Sequence, residues 1–285
     1  MVWTTFKQRN TADVVLIDTY STLNFYYAYV ISQLCRFWKL NYIPILHGGN
    51  LPSRLTRNPL LSRAIFKFAY CNVAPSTYLK IAFEASGYTN VIHIPNVIDI
   101  RQYPFQTRAH EQPHLLWVRS FAKLYHPEMA VRVLKGLQDK GLKATLCMVG
   151  PDRDGTLSTV EQLATDLSVH VTFTGKLSKS EWIRLSKDYN VFINTTNFDN
   201  TPISVIEAMA LGLPVVSTNV GGLPYLIDHG TDGLLVPANE VSAMVMAIER
   251  LFEDAPLRLA IINKARLKAE HFDWATVKQL WKDLL

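Results

Sequence analysis

Short apolar runs alternate with longer amphipathic stretches along the chain, and this alternation predicts a fold of strands joined by helices. In the first part of the chain, apolar runs predict strands at 12–18, 42–46, 71–74 and 91–95. The stretches between them predict helices at 22–39, 59–69 and 76–86. Because strands separated by helices pair in parallel, we expect an α/β sheet with helices on its faces.

A polar stretch, RQYPFQTRAHEQPH at 101–114, interrupts the alternation and predicts a linker between two domains. Behind it the pattern resumes, with strands predicted at 115–118, 144–150, 170–175, 190–196 and 214–218. Helices are predicted at 127–140, 156–168 and 178–187, and three more close the chain at 239–252, 255–270 and 273–284. We therefore expect two doubly wound, Rossmann-like sheets that face a cleft: a first domain at 1–108, a second at 109–270, and a C-terminal helix at 271–285 that packs back toward the first.

The segment FDNTPISVIEAMALGLPVVSTNVGG at 198–222 predicts a loop followed by one further helix. Thr201 is placed to cap a helix whose first residue is Pro202, and Gly212 closes it. Since the loop follows a buried strand, it lies at the carboxyl edge of a parallel sheet, where open α/β folds bind ligands. The free amides of the helix start favour an anion there.

Two acidic residues, Asp199 and Glu207, bracket this helix start. Carboxylates would repel a phosphate alone, so the pattern favours a ligand whose phosphates meet the amides and whose hydroxyls donate to the carboxylates. That description fits a nucleotide sugar. An ordinary turn acid and a solvated helix glutamate form the alternative, but the neighbours of Glu207 are apolar, so a glutamate there needs a partner.

Composition narrows the class of protein. The chain has 285 residues, of which 48% are hydrophobic, enough to bury one or two α/β cores. It has no run of eighteen apolar residues and no apolar segment of the signal-peptide kind at its start, so we expect a cytoplasmic protein. Three cysteines, Cys35, Cys71 and Cys147, lack metal-ligand spacing and predict reduced core thiols and no metal site.

Charge is distributed unevenly: residues 1–110 hold eleven Lys and Arg against four acidic residues, whereas the remainder holds eighteen against twenty. Arg54, Arg57, Arg63 and Lys67 lie among apolar and aromatic residues, as in a surface that meets anionic lipid or a phosphate-bearing substrate. Peripheral contact with the inner face of a membrane is therefore a further expectation, and a solvated basic face is its alternative. No nucleic-acid-binding motif is found, and we expect no nucleic-acid partner.

The stretch DNTPISVIEAMALGLPVVSTNVGGLPYLIDHGTDGLLVPAN at 199–239 resembles the signature region of the retaining glycosyltransferases of family 4, also called glycosyl transferases group 1. These enzymes have the two-domain GT-B fold. Their motif is an acid, seven residues and a Glu, then A-M-A-x-G-x-P-V and a glycine pair, and Asp199 and Glu207 fit its spacing. The later G-x-x-G-x-L-V-P at 230–237 agrees as well. Weaker likeness lies in HGG at 47–49, PN at 95–96 and FTG at 173–175.

The resemblance implies a role for each matched position. Glu207 would accept hydrogen bonds from the ribose hydroxyls, and Asp199 would hold hydroxyls of the donor sugar. The amides of Ile203 and Ser204 would face the sugar and the diphosphate. The loop after FTG would lie against the base. The other implied donor-binding positions are Gly48, Gly49, Asn96, Gly150, Lys176, Leu177, Thr201 and Pro202.

In this family, a basic pair after the first strand of the second domain neutralises the diphosphate leaving group without a metal or other cofactor. Arg119 and Lys123 are the candidates, although three residues separate them here and four in the family. Two surface cations after a strand form the alternative. His47 would approach the donor sugar or the reacting phosphate oxygens.

The resemblance therefore implies a retaining glycosyltransferase of the hexosyltransferase type. It would move a sugar from a nucleotide-diphosphate sugar to a carbohydrate or lipid-linked acceptor in the synthesis of a surface polysaccharide or glycolipid. Family members carry further strands before the segment that matches ADVV at 12–15, so we expect part of the acceptor domain to be absent and one sheet edge to be exposed. The alternatives are a nucleotide-sugar-binding module without transfer activity, and an epimerase of the same fold, which would need further carboxylates at the cleft.

Overall fold

Two separate parallel sheets organise the chain in the computed structural model, which describes residues 2–109 and 111–285. The chain divides into unit 1, which comprises the residues up to 96 together with 275–285, and unit 2, which comprises 97–274. Residue 108, where the sequence predicts the end of the first domain, lies within unit 2, as does the predicted linker at 101–114. The chain thus leaves unit 1 once and later returns to it.

Unit 1 contains four parallel strands in sequential order, and β1 is an edge strand. The strands are β1 (Val14–Thr19), β2 (Asn41–Leu46), β3 (Asn72–Ala74) and β4 (Val91–His93). The helices are α1 (Val2–Gln8), α2 (Asn24–Phe37), α3 (Leu51–Arg57), α4 (Pro59–Phe66) and α5 (Thr77–Ala85). Their apolar side chains form small separate clusters, the largest of which contains Phe25, Phe66 and Phe83.

Unit 2 contains six parallel strands in the order β10-β9-β8-β5-β6-β7. The strands are β5 (His114–Val118), β6 (Thr145–Val149), β7 (Val171–Gly175), β8 (Val191–Asn194), β9 (Val215–Thr218) and β10 (Leu234–Val236). The strand order reverses at β5, which pairs with β6 on one side and with β8 on the other. Doubly wound sheets bind their ligands at the carboxyl ends of the strands at such a reversal.

Helices cover both faces of this second sheet. They are α6 (Pro127–Asp139), α7 (Thr156–Asp166), α8 (Lys179–Leu185), α9 (Ile203–Ala210), α10 (Leu223–Leu226), α11 (Val241–Glu253) and α12 (Ala255–Glu270). One apolar cluster includes Trp117 and Leu134, and the other includes Phe192 and Met209. The last helix, α13 (Trp274–Leu284), returns to unit 1, where its Val277 is buried in one cluster with Ile43, Cys71, Val73 and Ile94.

The predicted fold class, α/β with two Rossmann-like parallel sheets, is confirmed. The pattern did not predict α1, α3, α10 or β10, and the last two are too short to show a periodicity. The predicted cap at Thr201 is wrong. Helix α9 begins at Ile203, and Pro202 occupies the capping position with an extended backbone and no side-chain hydrogen bond. Among the described residues, no helix is both long enough and apolar enough to cross a membrane.

Candidate functional site

Arg119 directly follows β5 at the strand reversal, and backbone contacts fix its position. Its amide donates to the carbonyl of Val149 at 3.0 Å. Gly150, which follows β6, packs so closely on Arg119 that a Cβ at Gly150 would lie 1.8 Å from the Arg119 carbonyl oxygen. No larger residue fits at this position. Gly150 therefore supports the backbone that carries Arg119.

The Arg119 side chain is paired rather than free. Its guanidinium forms an ion pair with the carboxylate of Asp199, and each side chain is 17% exposed. The guanidinium carbon lies 4.4 Å from the centre of the Tyr125 ring, as in a cation–π contact. Burial lowers the pKa of Arg119, and Tyr125 opposes that change, but an arginine stays protonated in proteins. The two residues that the sequence assigns to diphosphate and sugar thus lie in contact.

The glycine pair of the motif supports the loop that carries Asp199. A Cβ on Gly221 would lie 2.2 Å from the Asp199 carbonyl oxygen, and one on Gly222 would lie 1.9 Å from that of Asn200. The Gly222 amide donates to the Asp199 carbonyl at 2.9 Å. Gly221 also has a φ of +55°, which favours glycine. The pair therefore holds Asp199 in place by close backbone packing.

Buried threonines join the end of β8 to the turn that follows Arg119. Trp117 donates from Nε1 to the Thr195 hydroxyl at 3.0 Å, and this hydroxyl donates to the Tyr125 carbonyl at 2.9 Å. The Asn197 amide donates to the Leu124 carbonyl at 2.9 Å. These bonds hold the short 3₁₀ helix Lys123–Tyr125 against the loop of Asp199.

Lys123 opens this 3₁₀ helix with an exposed side chain. Its amide donates to a carboxylate oxygen of Asp154 at 3.1 Å. Hydrogen bonds from Thr156 and from the Lys123 amide lower the pKa of Asp154, and the charge of Lys123 adds to the effect. The two predicted cations, Arg119 and Lys123, therefore lie on one loop at the carboxyl end of β5; Arg119 is partly buried and Lys123 is exposed.

Glu207 is buried in α9, with 3% of its surface exposed. Its Oε1 accepts a hydrogen bond from the Tyr103 hydroxyl at 2.7 Å and forms an ion pair with the Lys179 ammonium. Burial, with Asp99 nearby, raises the pKa of Tyr103 to about 12, so this hydroxyl remains a donor. Burial also lowers the pKa of Lys179. Both contacts from described residues are made by Oε1, and Oε2 receives none from them.

The expectation that Glu207 needs a partner is confirmed, but its two partners were not predicted. Tyr103 lies in the stretch interpreted as a linker, although it is buried. Lys179 opens α8, where Ser178 and Glu181 form a capping box. The sequence SKSE at 178–181 has the spacing of such a box and could have placed Lys179 in a first helical turn.

The start of α9 has backbone amides that precede the helical hydrogen bonds. The Val205 amide makes the first helical bond, to the Pro202 carbonyl at 3.1 Å, so the amides of Ile203 and Ser204 precede the helical ladder. The Ser204 hydroxyl is buried and has no hydrogen-bond partner among the described residues. Thr201 and Pro202 are buried beside it. This helix end is therefore suited to an anion that also accepts from a hydroxyl.

Two arginines occupy the other end of α9. Arg266 donates to the Ala210 carbonyl at 2.7 Å and to the Tyr103 carbonyl at 2.8 Å. Arg108 donates to the Leu211 carbonyl at 2.8 Å, and burial lowers its pKa to about 10. Cations at a helix C-terminus stabilise the helix dipole. Arg266 thus fixes both α9 and the backbone of Tyr103, the partner of Glu207.

His47 follows β2 in unit 1. Its Nε2 lies 3.0 Å from Oδ1 of Asp18, and its ring stacks on Tyr20 with the ring centres 5.3 Å apart. A Cβ on Gly48 would lie 2.5 Å from the Ser21 amide nitrogen, so Gly48 allows two loops to pack closely. Gly49 continues this loop.

The remaining predicted positions lie in loops. Asn96 is the last residue of unit 1 before the chain enters unit 2. Lys176 is exposed after β7, whereas Leu177 packs against an apolar cluster. In the described ranges, no group of three or more His, Cys, Asp or Glu side chains is placed to hold a metal ion.

Comparison with known proteins gives a family and several relatives. The family model described as Glycosyl transferases group 1 matches residues 99–268. Sulfoquinovosyl transferase SQD2 of Arabidopsis thaliana is 31% identical over 157 residues, which are 53% of this chain and 30% of the relative. A D-inositol 3-phosphate glycosyltransferase of Corynebacterium kroppenstedtii is 26% identical over 178 residues, 60% of this chain and 39% of the relative. The chain thus spans well under half the length of these curated relatives.

Solved structures match over more of the chain. Anabaena Alr3699/HepE, in complex with UDP and glucose, has a TM-score of 0.85 and 18% identity over 99% of this chain and 79% of that chain. Sucrose-phosphate synthase of Thermosynechococcus elongatus has a TM-score of 0.84 and 20% identity over 99% of this chain and 76% of that chain. At these identities the likeness establishes the fold.

Proposed function

The chain belongs to the glycosyl transferases group 1 family, and from this premise we propose that it moves a sugar from a nucleotide-diphosphate sugar to a carbohydrate or lipid-linked acceptor, with retention of the anomeric configuration. The observation that carries the proposal is the cluster of a buried Glu207, the Arg119–Asp199 pair and the start of α9 at one strand reversal. The product would enter a surface polysaccharide or glycolipid.

Glu207 provides the proposed ribose contact. Since Tyr103 and Lys179 both contact Oε1, the other carboxylate oxygen can accept from ribose hydroxyls while the first stays held. The amides of Ile203 and Ser204 then meet the diphosphate, as anions are bound at helix starts. Because HepE was solved with UDP and glucose and also with UDP-glucose, a uridine diphosphate sugar is the first donor to test.

Arg119 provides the proposed charge stabilisation. When the bond between the anomeric carbon and the diphosphate oxygen breaks, negative charge grows on the leaving diphosphate. A guanidinium with only 17% of its side chain exposed stabilises that charge more strongly than a fully solvated one, and Lys123 adds a second cation. Asp199 holds the guanidinium and accepts from the hydroxyls of the donor sugar. His47, which Asp18 contacts, is the proposed contact of unit 1 with the sugar.

A donor panel assay tests this function. The full chain is incubated with uridine, guanosine and adenosine diphosphate sugars, with and without glycan and lipid-linked acceptors, while nucleotide release and product are measured. We expect one donor to give a product whose anomeric configuration, measured by proton NMR, equals that of the donor. Arg119→Met should lower kcat about 10²–10³-fold, the range for loss of one group that stabilises an oxyanion. Arg132→Met, at an exposed arginine in α6, is the matched control.

Three other outcomes of these experiments would change the proposal. Nucleotide diphosphate binding that Glu207→Ala abolishes, without turnover on any acceptor, would favour a donor-binding module. Inversion of the configuration would contradict the retaining mechanism. Failure to bind any nucleotide diphosphate in calorimetry would overturn the proposal as a whole.

We also propose that the reaction takes place in the cytoplasm, at the inner face of the membrane. The support is the basic composition of unit 1, where Arg54, Arg57, Arg63 and Lys67 lie on or just after the neighbouring helices α3 and α4. If the amount of protein that co-sediments with vesicles did not depend on their content of anionic lipid, this result would contradict the proposed location.

A further inference from the structure

Unit 1 has a strong excess of positive charge that the donor site does not use. It carries eleven Lys and Arg against four Asp and Glu, whereas unit 2 carries eighteen against twenty. An excess of this kind attracts anions through the field of the whole unit. The field becomes a site only where cations and hydrogen-bond donors converge on a concave surface.

Such a surface lies between α4 and the turn that precedes β4. It is a cleft of about 660 Å³, and its lining contains two cations, Arg63 and Lys67, and no acidic residue. Tyr88 and three other hydroxyl side chains complete its polar lining: Thr56, Ser86 and Thr89. Arg63 and Lys67 are four positions apart, on and just beyond α4, and therefore project on the same side. The volume falls within the range of small-ligand sites.

The floor of the cleft is fixed by side-chain amides. Asn90 donates to the carbonyls of Phe66 and Ala69 at 3.1 and 3.0 Å. Asn72 donates to the same Phe66 carbonyl at 3.0 Å. The Tyr88 ring packs edge-on against Phe66, with ring centres 5.9 Å apart. The end of α4 and the turn at 86–90 are thus joined, so the cleft is formed by the fold itself.

Charges around the cleft favour an anion. The carboxylate nearest along the chain, Glu84, pairs with Lys80 at 3.8 Å. Arg63 and Tyr88 line the same cleft, and burial raises the pKa of Tyr88 against the opposing charge of Arg63, so the Tyr88 hydroxyl remains a donor. Cation and hydroxyl together donate to one phosphate group more effectively than either alone.

The cleft and His47 lie at opposite ends of the strands in the unit 1 sheet. Its lining residues Ala69 and Asn90 stand where the chain enters β3 and β4, whereas His47 follows the end of β2. All four strands are parallel, so these positions are at opposite ends of the strands. The cleft is therefore a second site, separate from the carboxyl-edge loops to which the donor contacts are assigned.

We propose that this cleft binds a phosphate group through Arg63, Lys67 and Tyr88. The group is a phosphate monoester or diester, carried either by a soluble phosphorylated glycan or by the headgroup of an anionic phospholipid. Both carriers present the same acceptor oxygens and the same charge. The site does not depend on the donor function, since none of its residues belongs to the donor site.

The test uses the full chain and reads the cleft directly. Backbone amides of Gly87 and Thr89 are followed by ¹H–¹⁵N NMR during titration with inorganic pyrophosphate. In parallel, vesicles of phosphatidylglycerol are compared with vesicles of phosphatidylcholine in co-sedimentation. We expect saturable shifts at these amides or selective sedimentation with the anionic vesicles. Arg63→Gln/Lys67→Gln should weaken that binding about tenfold or more, since it removes both charge-assisted contacts.

Lys278→Gln/Lys282→Gln is the matched control, because it removes the same charge from exposed positions of α13 in the same unit. The control should change binding less than twofold if a defined site is responsible. Equal weakening by both double variants would overturn the proposal, since it would reveal attraction by net charge alone. Absence of both responses in the wild-type chain would overturn it as well. A response to pyrophosphate alone identifies a soluble carrier, and a response to vesicles alone identifies the headgroup.

Discussion

The two units differ in how their charged side chains are paired and exposed. In unit 2, each of the two acidic residues of the candidate site is held by a cation: Asp199 pairs with Arg119, and the buried Glu207 pairs with the partly exposed Lys179. In unit 1, exposed cations outnumber carboxylates, and His47 pairs with an exposed Asp18. An ion pair with a largely buried carboxylate holds its groups in one geometry, whereas an exposed excess of cations attracts ligands without orienting them. The charges of the candidate site in unit 2 are thus held in fixed positions, and unit 1 is suited to attraction of anions.

The strongest test of this contrast removes the backbone support of the Arg119–Asp199 pair. In Gly221→Ala, a Cβ would meet the Asp199 carbonyl oxygen at 2.2 Å, so the loop must shift. We expect a loss of about 3 kcal/mol in the free energy of unfolding, from the left-handed backbone and the clash together, and loss of nucleotide binding. Urea unfolding and calorimetry measure the two effects.

Gly141→Ala is the control for this substitution. Gly141 also has a left-handed backbone, with φ +83°, but a Cβ there would meet no atom within 4 Å. It should cost only about 1–2 kcal/mol and leave nucleotide binding intact. Equal losses in both variants would show that backbone conformation, and not support of Asp199, accounts for the effect.

The next test compares two lysine–glutamate pairs within unit 2. Glu207→Gln should weaken nucleotide binding by about 1.5–3 kcal/mol, or roughly 10–100-fold in Kd, because a charge-assisted acceptor is lost. Glu249→Gln breaks a pair with Lys140 whose ammonium lies 2.6 Å from the carboxylate. The two lysines are similarly exposed, at 47% and 49%, but Glu249 lies on α11 away from the site. Its loss should change binding less than twofold, and a comparable effect would refute the role of Glu207.

A smaller effect on stability and on donor binding is expected when a single tyrosine hydroxyl is removed from each unit. Tyr103→Phe removes the 2.7 Å bond to Glu207, and Tyr42→Phe removes a 2.8 Å bond to the Ile65 carbonyl in unit 1. Each should cost about 0.5–1.5 kcal/mol of stability. Only Tyr103→Phe should raise the KM for the donor, by about 2–10-fold, with kcat nearly unchanged. If Tyr42→Phe raised KM equally, the hydroxyl of Tyr103 would have no specific part in positioning Glu207.

The smallest expected effect is a difference between the two units in how readily local unfolding exposes their buried cysteines. Burial raises the pKa of Cys35 and of Cys71 to about 11, and it also raises that of Cys147 in unit 2. At pH 8 only about one thiol in a thousand would be ionised at a pKa of 11, so alkylation of the folded chain should be very slow. With increasing urea, Cys35 and Cys71 should react before Cys147, because the apolar clusters that contain them are smaller than the one that contains Cys147. Mass spectrometry measures the order, and the reverse order would contradict the expectation that unit 1 opens first.

The sequence was most informative where structure is local. Alternation of apolar runs predicted most strands and helices, and the spacing of Asp199 and Glu207 placed both acids around one helix start. The same apolar pattern indicated that Glu207 is buried. Each of these inferences depends on residues within a few turns of each other, whose relation is set by helix and strand geometry.

Contacts between distant residues could not be predicted in the same way. Tyr103 reaches Glu207 across 104 positions, from a stretch whose Pro, Gln and charge indicate a linker. The pairing of Arg119 with Asp199 follows from the adjacency of β5 and β8, which the sequence does not reveal because β6 and β7 lie between them along the chain. Strand order is a property of the whole sheet, and a single sequence carries no local signal for it.

The return of α13 to unit 1 has a consequence for how such a protein can be recombined. Because Val277 is buried in a unit 1 cluster, a fragment that ends at residue 96 lacks part of its own core. If the N-terminal part of one protein were fused to the C-terminal part of another, this cluster would therefore contain a helix from the other protein. We expect unit 2 to be exchangeable instead as an insert between residues 96 and 275, so that the host protein keeps both ends of its chain.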